Sequence, residues 1–496
     1  MKFTVKNSDK FIEINGSNGS LLNILAENSI SINAYCGGRG ICKKCKVRFL
    51  KNIPAPNEIE KQSFTEQELK SGIRLACMHN AVEDSIVEVF ENKPKFSNFD
   101  GDVCTDDDKN YIALDIGTTT IALSFVKNGK VAENVNFLNP QMAYGADVLS
   151  RISFSNNGKT DILINILQSS ILKIIEQIKM KHNVGKIDFM IVSANPTMLA
   201  FFFSKNPTSI GKYPYKPVFY GSLYTEWNGI DTYTPPVLSA FIGSDVTSGL
   251  TKLDFNKNFL FLDIGTNCEF VLNYKNRIYS ASVPAGPALE GASIDYGMTA
   301  QEGAIEKVEF DGILKCTTIG NKKAKGITGS GLISAIALLR RYNIINKRGN
   351  IVEAWEIEDA PLQLINRIKE NRFLLDNNIF LTQKSIREFQ LVKASLNAGI
   401  QILIDKTGLS FNEIETVYMS GGFSKNISKE DIFESNLLAF KDNVEFLGNS
   451  SLSGALQLFC KKEREKIESV SKKIEYIEIA NEANFQNLYL EYMDFK

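Results

Sequence analysis

Four cysteines stand at Cys36-x5-Cys42-x2-Cys45 and, 31 residues further on, Cys77. Thiolates at such spacing are ligands for zinc or iron. Two other stretches carry the groups that hold phosphate. Tyr111 to Val131 reads YIALDIGTTTIALSFVKNGKV, and Phe259 to Tyr279 reads FLFLDIGTNCEFVLNYKNRIY. Asp115 is answered by Asp263, Gly117 by Gly265, Thr118 by Thr266 and Lys127-Asn128 by Lys275-Asn276, at a constant offset of 148 residues. Each copy predicts an apolar strand, a tight turn with a carboxylate, a glycine and hydroxyls, and a second apolar strand closed by a Lys-Asn turn. In such a turn glycine lets backbone approach a ligand. Thr118, Thr119, Thr120, Thr266 and Asn267 offer donors to phosphate oxygens, and Asp115 and Asp263 can hold hydrated magnesium. One D-x-G-T turn says little, but two in register predict a duplicated fold whose hairpins grip one nucleotide from both sides.

The elements that must position these residues follow from the rest of the chain. At 496 residues and 55.3 kDa it exceeds a single core, so two to four domains are expected. The 56 basic and 57 acidic residues leave a formal charge of −1, which gives no global attraction to nucleic acid or anionic membrane. The first residues hold no apolar signal region and the apolar runs are too short to span a bilayer, so a cytoplasmic location is expected. Residues 1–92 form a first domain, with strands in Lys2–Ile14, Val47–Phe49 and Ser85–Phe90 and a short helix over Ser20–Asn28. Residues 93–110 read as a flexible linker, with Pro94, Gly101 and an acidic run, able to span at most roughly 60 Å. Residues 111–258 hold the first phosphate hairpin, a helix over Asp161–Lys181 and a buried strand over Ile187–Ser193. Gly158-Lys159-Thr160 is not a Walker loop, because position 153 is Ser and no strand precedes it. Residues 259–496 repeat the scheme. There Gly329-Ser330-Gly331 opens an apolar helix to about Arg341, and Ser385-x-x-Glu388 reads as a capping box for a helix through Lys406. A strand then leads into Ser420-Gly421-Gly422-Phe423. For Gly329, Gly331, Gly421 and Gly422, helix–sheet packing is as good an account as ligand contact. The remaining cysteines, Cys104, Cys268, Cys316 and Cys460, are scattered and read as reduced thiols.

The three-plus-one cysteine pattern, with Gly37, Gly38 and Gly40 in its loop, resembles the 2Fe-2S ferredoxins of plant and adrenodoxin type. The resemblance implies a β-grasp fold with Cys36, Cys42, Cys45 and Cys77 as cluster ligands. A zinc knuckle is the alternative. A Rieske centre would need both of the chain's two histidines, His79 and His182, as ligands and is set aside; His79 reads as a surface residue near the cluster.

DIGTTT at 115–120, GSD at 243–245, DIGTN at 263–267, GSGL at 329–332 and SGGF at 420–423 resemble the nucleotide motifs of the acetate and sugar kinase, heat-shock chaperone and actin superfamily. With the N-terminal ferredoxin, and with AGPALEGA at 285–292 and VYMSGGF at 417–423, the chain resembles the reductive activators of corrinoid enzymes. The fold class expected is α/β plus α+β: a β-grasp ferredoxin domain followed by a duplicated actin-like, ribonuclease H-like ATPase fold. The resemblance implies a 2Fe-2S cluster, ATP and Mg2+ as cofactors. It implies a corrinoid protein or methyltransferase as partner, a low-potential electron donor, and a homodimer through the C-terminal half. Asp115 and Asp263 would orient magnesium through water. Thr118, Thr119, Thr266 and Asn267 would hold phosphates, and Gly421, Gly422 and Phe423 would border the adenosine. Asp245 would position water; as a favoured N-cap residue it would equally serve to cap the helix after it. Cys268 stands where such proteins usually carry Gly, the linker is short for the family, and no corrinoid-binding motif is present, so cobalt must come with the partner. A small-molecule kinase with a redox-sensing ferredoxin, an activator of the 2-hydroxyacyl-CoA dehydratase type and a non-enzymatic ATP-binding scaffold are the rival readings. The second keeps its cluster cysteines inside the ATPase domain, unlike the separate ferredoxin here.

Overall fold

The computed structural model describes residues 2–7, 10–15, 19–30, 32–34, 36–90, 102–422, 427–440, 443–479 and 481–495. It divides into two compact units, residues 1–244 and 245–496. The first half of the linker reading, residues 93–101, and Phe423 lie outside the described residues.

The first unit opens with strands β1 (Lys2–Asn7), β2 (Lys10–Asn15), β3 (Lys46–Lys51), β4 (Ile73–Leu75) and β5 (Ile86–Val89) in the order β2-β1-β5-β3-β4. The central pair β1 and β5 is parallel and the others antiparallel. A helix over Leu21–Glu27, capped by Ser20, buries Leu21, Leu22 and Leu25 against Phe3, Val47, Phe49 and Val87. Each such side chain contributes about 1.5–3 kcal/mol. This is the β-grasp arrangement.

A second sheet in the same unit contains β6 (Tyr111–Ile116), β7 (Thr120–Lys127), β8 (Lys130–Leu138), β9 (Phe189–Ala194), β10 (Gly221–Trp227) and β11 (Ile230–Val237), ordered β10-β11-β9-β6-β7-β8. The helix Thr160–His182 packs Leu163, Leu167, Ile171 and Ile175 on it with a period near 3.6, as its sequence predicts.

The second unit repeats this plan. Its β12 (Phe259–Ile264), β13 (Asn267–Tyr274) and β14 (Arg277–Pro284) form an antiparallel meander, and β12 also runs parallel to the strand Thr416–Ser420, as β6 does to β9. Val444–Gly448 extends the parallel side. β12 is buried along nearly its whole length, which explains its unbroken apolar run.

Two local expectations are corrected. The echo at offset 148 holds for the aspartates and fails by the end of the second strand. Ile116 pairs with Ile121 across four turn residues, whereas Ile264 pairs with Cys268 across three. The extra turn residue shifts the whole of β7 by one against its counterpart β13, so the two-residue turn closing the first hairpin is Asn128-Gly129, not Lys127-Asn128. The Lys-Asn match is a coincidence of letters. Second, the long helix runs Gln383–Thr407 and its N-cap is Thr382, whose Oγ1 accepts from the Ser385 N–H. The strand Ile379–Thr382 feeds straight into the helix, so the earlier hydroxyl takes the cap. Cys268 and Cys316 are free thiols, as read from their scattered positions.

Candidate cofactor and nucleotide sites

The cysteine loop runs from the end of the Leu21–Glu27 region into β3. Gly37, Gly38 and Gly40 all adopt φ between +60° and +81°, a conformation costly for residues with a Cβ. The four sulfurs form two pairs. Cys45 Sγ lies 3.3 Å from Cys77 Sγ. The Cys42 thiol hydrogen-bonds Cys36 and pulls its pKa down to about 5 against the effect of burial, while the same bond and burial push Cys42 up. In the other pair Cys77 is lowered by the bond from Cys45, and Cys45 is raised by that bond and by burial. Each pair thus favours one thiolate. Among the described residues, no three His, Cys, Asp or Glu side chains gather as round a single ion. Two pairs of sulfurs suit two irons with two thiolates each. His79 is only 10% exposed at its side chain and bonds the buried Glu60 at 2.9 Å, which corrects the expectation of a surface residue.

In the first unit the phosphate turn is closed by the Gly117 N–H donating to the Thr120 carbonyl at 2.9 Å. Asp115, at the end of β6, faces Ser193 of β9 across the parallel ladder. Asn195 caps the helix Pro196–Phe202 and donates from Nδ2 to Thr118 Oγ1 at 3.2 Å. Asn139 donates from its backbone N–H to the Thr119 carbonyl and from Nδ2 to the Gly117 carbonyl, each at 2.9 Å. Sequence reasoning gave neither asparagine a role. The Asn-Pro that opens each helical turn, at 139–140 and 195–196, was the available signal.

In the second unit Asp263 ends β12 beside Ser420, and Ser420 in turn pairs with Gly448. The second phosphate turn and Gly421-Gly422 therefore share the C-terminal edge of parallel strands, where open α/β sheets bind ligands. Gly421 has φ +128° and its N–H donates to the Gly448 carbonyl at 3.1 Å; Gly422 is exposed. The Gly265 N–H donates to the Asn267 carbonyl, and the Ala285 and Gly286 N–H groups clamp the Thr266 carbonyl. Thr266 Oγ1 donates to Glu290 at 2.9 Å, which adds Glu290, within AGPALEGA, as a candidate site residue that the sequence reading quoted but did not assign. Glu269, the cross-strand partner of Asp263, is another. Burial, then the charges of Asp263 and Asp245, raise its carboxyl well above the usual range, so these three carboxylates share one field. Asp245 lies in the first turn of the helix Ser244–Gly249, one residue inside its start, and its Oδ1 accepts from the Val246 N–H at 2.9 Å. The Cys268 side chain is fully buried in the core and does not enter the turn. Gly329, Ser330 and Gly331 are buried at the start of the helix Gly329–Arg341. A Cβ on Gly329 would stand 2.0 Å from the Leu289 carbonyl oxygen and one on Gly331 2.3 Å from that of Ile305, so both glycines serve close packing.

A four-cysteine β-grasp domain joined to a duplicated sheet with echoed phosphate turns defines an electron-carrying protein built on the nucleotide-binding fold of the sugar kinase and actin class. Family models match nearly end to end: the 2Fe-2S iron-sulfur cluster binding domain over 3–82, the RACo middle region over 111–258, and the C-terminal domain of RACo, the ASKHA domain, over 257–496. The chain belongs to the RACo family of reductive activators, with a 2Fe-2S cluster, ATP and Mg2+ as its cofactors. It is similar to the corrinoid activation enzyme RamQ of Eubacterium limosum, 26% identical with 96% of each chain covered. It is also similar to the Co(II) methylated amine-specific corrinoid protein reductase of Methanosarcina barkeri, 24% identical with 76% of each covered. The solved reductive activator for corrinoid, iron-sulfur protein shares its fold at a TM-score of 0.68 and 24% identity, covering 99% of this chain and 98% of that one. No helix among the described residues is long and apolar enough to cross a membrane.

Proposed function

We infer that this chain is an ATP-dependent reductive activator that delivers a low-potential electron to the Co(II) corrinoid of a partner protein or methyltransferase, restoring Co(I). The observation that carries this reading is the joining of a ferredoxin domain to a RACo-type ATPase in one chain, matched almost end to end by a corrinoid activation enzyme. In our reading residues 1–92 carry the cluster, 93–110 tether it, and 111–258 and 259–496 are the halves of the nucleotide clamp.

When bound, the cluster supplies single electrons near −400 mV. A Co(II)/Co(I) couple lies lower, and each 59 mV of gap costs about tenfold in equilibrium, so the transfer needs an energy source. Nucleotide can provide it only by binding the conformations that prefer Co(II) and Co(I) partners unequally. The residues proposed for this are supported by placement. Cys36, Cys42, Cys45 and Cys77, crowded as two pairs, hold the irons. Asp115 and Asp263, each at a strand end beside a phosphate turn, orient hydrated magnesium. Thr118, Thr119, Thr266 and Asn267 bind phosphate oxygens, and Gly421 and Gly422 border the adenosine. Asp245, in the field of Asp263 and Glu269, positions the attacking water. A cytoplasmic location, where a low-potential donor is available, and a homodimer through the C-terminal half, open to sedimentation, belong to the same proposal.

The test is anaerobic. Reduced holoprotein, a Co(II) corrinoid protein and MgATP are mixed, and the visible spectrum of Co(I) is followed. Co(I) should form with ATP and not without it. Equal yields in both would sink the coupling, and phosphoryl transfer to a sugar or acid would favour a kinase.

A further inference from the structure

Within the first unit, residues 139–151 touch the phosphate turn on one side and the cysteine loop on the other. Asn139 holds the carbonyls of Gly117 and Thr119, as above. Arg151, wholly buried, holds the one between them: its Nη2 donates to the Thr118 carbonyl at 2.5 Å. The same guanidinium donates from Nε to the Gly145 carbonyl at 3.0 Å and from Nη1 to Gln141 Oε1 at 3.2 Å. Gln141 Nε2 in turn donates to the Leu163 carbonyl of the long helix at 3.0 Å. Three consecutive carbonyls of the turn are thus fixed by one short segment. Because trans peptide units are planar, holding those oxygens turns the following N–H groups, of Thr118, Thr119 and Thr120, the opposite way.

The segment also rests on the ferredoxin domain. A Cβ on Gly37, the residue after Cys36, would stand 3.0 Å from both Ala146 N and Gly145 Cα, and one on Gly38 would stand 3.4 Å from the Ala143 carbonyl oxygen. Ala143 is buried within the ferredoxin core, and Tyr144 Oη donates to Glu27 at 3.0 Å. Gly145, which Arg151 holds, is therefore in direct contact with the cysteine loop.

We propose that residues 139–151 are a strut through which nucleotide at the first phosphate turn is felt at Cys36–Gly38, with Arg151 as the positioning residue. The proposal rests on the reading of both sites as given above. Phosphate binding pulls on the Thr118–Thr119 peptide, and the planar guanidinium passes that displacement to the Gly145 carbonyl and so to the loop under Cys36. A forked donor is required, since an ammonium cannot bridge three fixed oxygens with the same geometry.

The experiment uses full-length holoprotein and reads the electron paramagnetic resonance spectrum and midpoint potential of the cluster with and without a non-hydrolysable MgATP analogue. Unmodified protein should show a nucleotide-dependent change. Arg151→Met and Arg151→Lys should lose it while keeping cluster absorbance, and ATP-driven Co(I) formation should fall on the order of tenfold. Full retention of the spectral change in Arg151→Met, or full rescue by Arg151→Lys, would overturn the proposal. Should Arg151→Met not fold, hydrogen exchange of residues 36–40 in unmodified protein decides. ATP should slow it, and no change counts against the strut. ATP-dependent Co(I) formation with a cluster indifferent to nucleotide would remove the strut and leave the proposed function standing.

Discussion

The two echoed glycines give a sharp test, because the structure makes them unequal. An ideal Cβ on Gly117 would lie 2.6 Å from the Thr120 carbonyl oxygen, which closes the same turn. Favourable packing begins near ~3.5 Å, so the turn must open by almost an ångström along rigid backbone. On Gly265 the nearest neighbours are Glu290 Oε1 at 3.4 Å and the Asn267 carbonyl oxygen at 3.7 Å, ordinary contacts. Neither glycine has positive φ. Gly→Ala therefore gains about 0.4–1 kcal/mol from the unfolded chain at both sites. At Gly117 overpacking costs about 1–3 kcal/mol. In nucleotide-free protein Gly117→Ala should lower stability by up to about 2.5 kcal/mol. At about 2–4 °C per kcal/mol for units of this size, Tm should fall by several degrees, with Gly265→Ala within about 1 kcal/mol of the parent. Calorimetry on both variants, with cluster absorbance as an internal control on the ferredoxin domain, measures the difference. Equal losses, or a larger loss for Gly265→Ala, would refute the geometric argument.

Ser in place of Cys36, Cys42, Cys45 or Cys77 should abolish the visible absorption of a 2Fe-2S centre and lower bound iron, read by metal analysis after anaerobic reconstitution; zinc at full occupancy in the parent would contradict the assignment. Asp263→Asn should cut ATP hydrolysis by about 10²-fold or more while leaving the cluster spectrum intact, as expected for a group acting on developing phosphate charge. Glu133 bonds Lys181 at 2.6 Å and His182 at 2.7 Å. Burial tends to raise its carboxyl, but these two partners outweigh it and its folded pKa is lowered. A lowered carboxylate pKa contributes stability above the unfolded value, near 4.3, that disappears as pH falls through the folded value. Glu133→Gln should cost about 0.3–1 kcal/mol at pH 7, with parent and variant converging in acid, as denaturant titrations at several pH values would show.

What could be read along the chain was whatever depends on short-range pattern. The cysteine spacing and loop glycines announced the ferredoxin domain, and DIGTTT and DIGTN announced a duplicated nucleotide fold. The helix predicted over Asp161–Lys181 is found over Thr160–His182. Where local signals competed, reading faltered: Ser385 offered a plausible cap, yet Thr382 takes it. The Lys-Asn echo looked like register until the turn length showed otherwise.

Short motifs, and the families they resemble, pointed to the domains this chain contains and the cofactors they take, because phosphate turns and most of the cysteine set are built from residues close in sequence. Only the tertiary structure decided that Arg151 and Asn139 hold the carbonyls of a turn more than twenty residues upstream, and that Glu290 bonds Thr266. It alone decided that Gly329 and Gly331 pack against Leu289 and Ile305. Those contacts join segments distant in sequence, and no local periodicity encodes which buried donor will meet which carbonyl once the sheets have closed.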